Sequence, residues 1–271
     1  MLRPPLAPRS RPAFAAIVGV LAGVLISCAG AAPQPHGAPP GRSADAAPLP
    51  RPNHHAGAPD PGLGPPSAGH PPARDDESID RPTSDPYDGD LSIFEQPGRA
   101  DRLQIDRVMT LLGIDLGSTV ADVGAGSGWF TVRAARRVGA NGAVYAVEIN
   151  PRFIEYIATR AAKERLGNVR TVLATADDPR LPDQSLDAVL LLKTYHEIEK
   201  PIAVLKRIRR AMRPRARLGI IDKKGSGDDH GIDGDVVIRE AARAGFELLE
   251  RHDFVKRDGL DYFLIFRPAG G

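Results

Sequence analysis

One cysteine stands in 271 residues, and it is Cys28, near the start of the chain. A single thiol excludes an internal disulfide framework and any zinc or iron–sulfur centre built on several thiolates. Charge of one sign is also lacking: 36 basic residues face 34 acidic ones, a formal net charge of +2. Such a balance makes no field of the kind that marks a nucleic-acid binder, so nucleic acid is not an expected partner. Proline is abundant in total, at 26 residues, yet only seven fall between Tyr87 and Gly271. Four precede residue 13 and fifteen lie between Ala29 and Pro86. The chain therefore divides into an N-terminal segment (1–27), a proline-rich stretch (28–86) and one domain (87–271).

The N-terminal segment carries Arg3, Arg9 and Arg11, no acid, and then an apolar run from Ala13 to Ile26. A basic region followed by a run this short describes an export signal rather than a bilayer-spanning helix. Its end, Leu25-Ile26-Ser27-Cys28, resembles the lipobox of bacterial lipoproteins. That resemblance implies a diacylglyceryl group on Cys28, which would become the new N-terminus and anchor the chain to a membrane. Ala29, where an aspartate would favour retention at the inner membrane, implies by the same resemblance the outer membrane, facing the periplasm. An uncleaved anchor, or a cytoplasmic protein with a misplaced start, is the alternative.

From Ala29 to Pro86 the sequence is proline, alanine, glycine and histidine without apolar periodicity of 2 or 3.6. Too little surface can be buried to offset ordering entropy, so this stretch reads as a disordered tether. Treated as a flexible coil, its span is on the order of 40 Å. His36, His54, His55 and His70 lie in it and read as solvated linker residues, so no metal site is expected there.

Beyond Tyr87 strand-like and helix-like segments alternate. Ile105, Val108, Met109 and Leu112 repeat at helical spacing. Strands are expected at 119–123, 143–148, 169–174, 186–193, 217–222, 246–253 and 261–266, with helices at 129–138, 151–166, 201–212 and 234–244. The expected fold is α/β: a Rossmann-like, doubly wound, mostly parallel seven-stranded sheet with helices on both faces and the last strand antiparallel. Ligands of such sheets bind beyond the carboxyl ends of the strands, where strand order reverses. There stands Asp122-Val123-Gly124-Ala125-Gly126-Ser127-Gly128, and Glu148 closes the next strand, where a carboxylate can accept from a ribose diol.

The stretch 122–128 resembles motif I of class I S-adenosylmethionine-dependent methyltransferases, whose pattern is acid-x-Gly-x-Gly-x-Gly. Leu181-Pro182-Asp183-Gln184-Ser185-Leu186-Asp187 and Ala244-Gly245-Phe246 are similar to two further stretches of that family, and the likeness is to its small-molecule branch. The resemblance implies S-adenosylmethionine as cofactor. Gly124, Gly126 and Gly128 would pass its methionine part, Asp122 would steer its amino group, Glu148 would hold the ribose, and Asp177, with Asp178 beside it, would meet the adenine.

Methyl transfer is an in-line displacement, so the protein aligns the nucleophile, excludes water and, for a carbon or phenol acceptor, supplies a base. Lys193-Thr194-Tyr195-His196-Glu197 follows the fourth strand, at the edge where an acceptor should lie. His196 is the candidate base, or else a cap for the following helix; Tyr195 is a candidate wall or hydrogen-bond partner. The loop 222–235 is expected to be a mobile lid. Asp229, Asp233, Gly234 and Glu240 match a calcium loop in part, but Gly231 and the preceding strand argue against it. Lys200, Lys206, Arg207, Arg209, Arg210, Arg213 and Arg215 read as a solvated basic face, or as a contact for anionic lipid. A membrane-tethered methyltransferase acting on a small-molecule or lipid acceptor is the expected function. A catalytically silent envelope protein that binds an adenosyl compound or a partner is the alternative.

Overall fold

A continuous apolar strand needs cover on both sides, and Leu186–Leu192 (β4) has it, lying between Thr119–Val123 (β1) and Met212–Lys223 (β5). The computed structural model describes residues 77–270. The expected export signal, Cys28, the tether up to residue 76 and its four histidines lie outside the described residues. Ala143–Glu148 (β2), Val169–Leu173 (β3), Phe246–His252 (β6) and Asp261–Pro268 (β7) complete one seven-stranded sheet in the order β3-β2-β1-β4-β5-β7-β6. β3, β2, β1, β4 and β5 pair in parallel, while β7 is antiparallel to both β5 and β6.

The pleat of β4 sorts its side chains. Val189 and Leu191 join a core with Ile202, Leu205 and Ile208 of Pro201–Ala211 (α5) and Val237 of Gly234–Arg243 (α6). Leu190 and Leu192 face the opposite core, with Val108 and Met109 of Ile105–Leu111 (α2) and Phe130 and Val138 of Trp129–Val138 (α3). A short helix, Arg99–Leu103 (α1), precedes α2, and Pro151–Lys163 (α4) packs Ile157 against Ala146. Local chemistry sets the ends: Asn150 Oδ1 accepts from Arg152 N at 3.0 Å, with Pro151 opening α4. Among the described residues no helix is long and apolar enough to cross a membrane.

Several expected boundaries shift by one or two residues, and three move further. β5 begins at Met212 because Met212 pairs with Leu186 ahead of a register shift, and α4 stops at Lys163, before Arg165 with its φ of 56°. The larger change concerns the end of the expected tether. Residues 77–86 pack on the domain: Ile79 meets the α5/α6 core, Arg81 pairs with Glu240 at 2.8 Å, and buried Ser84 donates to Gly227 O at 2.8 Å. Ile79, Arg81 and Ser84 find their partners in the last third of the chain, so no local periodicity marks them.

The basic face also finds partners. Lys206 pairs with Glu77, Arg207 lies near Asp177 and Asp178, Arg210 near Asp183 and Arg213 against Asp187, while Arg209 donates to the carbonyls of Gly245 and Ala269. These side chains stay largely exposed while they meet acids and carbonyls on the domain's own surface.

Candidate active site

The sheet order reverses between β1 and β4, so the loops after these two strands part and leave a crevice. A cavity of about 520 Å³ opens there. Its floor is the turn after β1, and Gly124, Gly126 and Gly128 all have positive φ, at 73°, 54° and 70°. A β-carbon at Gly124 would stand 2.3 Å from the Thr194 side chain, and one at Gly126 3.3 Å from the Phe94 ring. Both N–H groups of Gly124 and Ala125 bind Val147 O, at 2.9 and 3.1 Å, which ties the turn to the end of β2.

Two acids flank this turn. Asp122 is buried, and its Oδ2 accepts from Thr131 Oγ at 2.6 Å. Burial raises its pKa from the usual 3.8 to about 6, with the Glu148 carboxylate adding to the rise and Thr131 and Arg99 opposing it. Glu148 accepts from Gly126 N at 3.0 Å through one oxygen and from Ile149 N at 2.7 Å through the other. Oε1 also accepts from Asn150 N at 3.2 Å, so the spare acceptor capacity that Glu148 brings to the cavity lies on Oε2. Arg99 enters from α1, its guanidinium 4.4 Å from the Trp129 ring centre, and burial lowers its pKa to about 10. A 3₁₀ turn, Leu91–Glu95, covers the glycine turn: Phe94 lines the cavity, and Glu95 bonds Ser127 Oγ at 2.6 Å and Arg160 at 2.5 Å.

The opposite wall rises from the end of β4 and the 3₁₀ turn Tyr195–Glu197. His196 is buried and lines the cavity, and Asp222 at the end of β5 holds its Nδ1 at 2.9 Å. Asp222 also accepts from His196 N at 3.2 Å and Lys223 N at 2.8 Å. A carboxylate only accepts, so Nδ1 carries the proton and Nε2 is left with a free lone pair, 3.8 Å from Glu197 Oε1. Burial raises the Glu197 pKa to about 7, against the opposing pull of His196 and a hydrogen bond from Tyr87 N. Lys193, at φ 62°, lines the cavity with its ammonium 2.6 Å from buried Asp261, which Lys256 meets at 3.1 Å.

Most of the site residues expected from sequence meet here: Asp122, Gly124, Gly126, Glu148 and His196 line one cavity, and Gly128 caps α3 immediately behind it. Two do not. Tyr195 is fully buried outside the cavity lining, and its hydroxyl donates to Glu240 Oε2 at 2.8 Å, so it is a structural pillar and not a wall of the site. Asp177 accepts from Thr175 Oγ at 3.0 Å and faces Arg207 at 3.7 Å; Thr175 and Ala176 line the cavity in its place. Arg99 has no role in the sequence reading, and Asp222 and His230 enter it only as part of the loop 222–235, yet all three bear on the site. An acid closing a strand beside the switch point was the available signal for Asp222.

A doubly wound sheet with a glycine turn after β1, a carboxylate closing β2 and an antiparallel β7 between β5 and β6 is a Rossmann-like fold built to hold a nucleoside at the carboxyl ends of β1 and β2. Residues 120–215 match the family model described as a methyltransferase domain. The S-adenosylmethionine-dependent methyltransferase of Aquifex aeolicus, a solved structure, shares 25% identity at a TM-score of 0.60, covering 66% of this chain and 98% of that one. Nocamycin O-methyltransferase of Saccharothrix syringae is 33% identical over 134 residues, 49% of this chain and 46% of its own length. A ubiquinone/menaquinone biosynthesis C-methyltransferase of a Marinomonas species is 26% identical over 126 residues, 46% of this chain and 50% of its own length. The chain thus spans about half the length of the curated relatives it matches. The described domain has the Rossmann-like fold of such methyltransferases.

Proposed function

We propose that the chain is an S-adenosylmethionine-dependent methyltransferase acting on a small-molecule or lipidic acceptor, tethered to the bacterial envelope through Cys28. The observation that carries the reading is the pairing, across one cavity, of a cofactor cradle at Asp122–Gly128 and Glu148 with a buried, oriented imidazole at His196. The cradle fits the cofactor: Gly124 has no room for a β-carbon, Asp122 is a buried acid facing the cavity, and Glu148 keeps acceptor capacity on Oε2 for a ribose hydroxyl. The names of the relatives, an O-methyltransferase and a quinone C-methyltransferase, support a small acceptor.

S-adenosylmethionine, when bound, supplies an electrophilic methyl group on a sulfonium. Asp122 attracts the amino group of the methionine part, Arg99 the carboxylate, and Glu148 accepts from a ribose hydroxyl. Phe94, Tyr87 and Phe153 supply apolar walls that exclude water. His196 takes the acceptor's proton on Nε2 while Asp222 stabilises the imidazolium that results. The envelope part of the reading is supported by the basic start, the short apolar run and the single cysteine at its end.

The test uses the full chain with methyl-labelled S-adenosylmethionine and a panel of phenols, quinols and envelope lipids. Label should enter one acceptor class, and His196→Asn should lower kcat by roughly 10²-fold or more with cofactor affinity unchanged. Label that never leaves the cofactor, or turnover indifferent to His196, contradicts the reading. Incorporation of a fatty-acid analogue that is lost in Cys28→Ala tests the anchor; unprocessed protein in the soluble fraction refutes it.

A further inference from the structure

The acceptor side of the cavity holds a second constellation that methyl transfer does not by itself require. His196, Glu197 and His230 each offer one ligand atom within 4.8 Å of the other two, and all three line the cavity. The two imidazole rings stand edge to face, with centres 5.8 Å apart. His230 comes from the loop after β5, far from the other two in sequence, at a φ of 55°. Its backbone is fixed there, because His230 N donates to the hydroxyl of buried Ser84 at 3.1 Å.

We propose that these three residues bind a divalent first-row transition-metal ion. Two imidazoles and one carboxylate are the donor set such ions prefer, and they leave open positions for water or a substrate oxygen. The surroundings match a metal ligand's needs. Asp222 accepts from His196 Nδ1, which fixes the tautomer and leaves Nε2, 3.8 Å from Glu197 Oε1, as the nitrogen free to bind the ion. Metal–ligand bonds of about 2.1 Å imply ligand atoms about 3.4 Å apart, so the set must contract by roughly an ångström. His230 is exposed and has room to supply that shift.

The existence of the ion site does not depend on the proposed activity, whereas its use does. With the ion present, His196 is a ligand rather than a base. An acceptor hydroxyl bound at an open position loses its proton to solvent water, because the cation lowers its pKa. The reading then favours oxygen acceptors over carbon ones.

The full chain, stripped with a chelator, is titrated with Co²⁺ followed by its visible d–d absorption, and with Zn²⁺ by calorimetry. One ion should bind with a d–d band, and His230→Gly should weaken it by at least about tenfold, as should Glu197→Gln. Glycine suits the positive φ at 230, so this variant keeps its fold, which its thermal transition verifies. The histidines at 36, 54, 55 and 70 are the same in every chain and cancel in the difference, and His252→Asn should change nothing. Titrations that superimpose for wild type and both ligand variants, or a wild type without a d–d band, overturn the site. A chain that binds the ion but not S-adenosylmethionine refutes the methyltransferase reading and leaves the ion site standing.

Discussion

Asp122 gives the cofactor cradle a measurable signature in the folding equilibrium. Its pKa rises from the usual 3.8 in an exposed chain to about 6 in the folded protein, chiefly through burial. Between about pH 4 and pH 6 the folded state therefore binds more protons than the unfolded state. Stability from this group is fully present below the lower value and is lost as pH rises through the higher one. A rise of about two pH units at about 1.4 kcal/mol each amounts to roughly 3 kcal/mol. Urea denaturation of the full chain and of Asp122→Asn, from pH 4 to pH 7, isolates this contribution. Titrating groups that do not interact with Asp122 are common to both chains and drop out of the difference, while the coupling to Glu148 belongs to the effect measured. Wild-type stability should fall relative to Asp122→Asn by about 1 kcal/mol per pH unit across that window. A difference independent of pH, or one of opposite slope, would refute the assignment of a desolvated carboxyl at the cavity floor. The same proton competes with the ligand, so affinity for S-adenosylmethionine should decline up to tenfold per pH unit below about pH 6.

Gly124→Ala combines an unfavourable φ of 73° with a β-carbon 2.3 Å from Thr194. It should cost about 1–3 kcal/mol of stability and most of the cofactor affinity, read by denaturation and calorimetry; an unchanged protein would mean the turn is not tight. Arg81→Ala leaves buried Glu240 without the guanidinium that meets both its oxygens, at 2.8 and 3.0 Å. Breaking such a pair should cost about 3–5 kcal/mol, and a chain beginning at Tyr87 should show a similar loss. Equal stability of the shortened and full chains would return residues 77–86 to the tether.

Much of the nucleotide half of the site was legible because its signals are local. Apolar strand, glycine turn, amphipathic helix and closing carboxylate succeed one another between Thr119 and Glu148, and the three elements there stand where expected. The acceptor half was legible in part. His196 was found in its place after β4, yet its orienting partner Asp222 and its neighbour His230 come from another strand and loop. Asp177 lies beside the cavity rather than in its lining, and its partner Arg207 lies on α5, beyond the whole of β4, where no local pattern shows it. Tyr195 was misjudged because a 3₁₀ turn sends adjacent side chains to different sides, one to the cavity and the other to Glu240. The basic run on and after α5 is exposed, as its composition implies, and the acids it meets come from other segments that no local pattern shows.

The most direct test of the account is calorimetric titration of S-adenosylmethionine and S-adenosylhomocysteine into the full chain, beside Glu148→Ala. Stoichiometric binding in the micromolar range, about −8 kcal/mol, is expected for wild type. Loss of the charge-assisted bond to the ribose should weaken it by roughly a hundredfold in the variant. A folded wild-type chain that binds neither compound, or a variant that binds as tightly as wild type, would contradict the central claim.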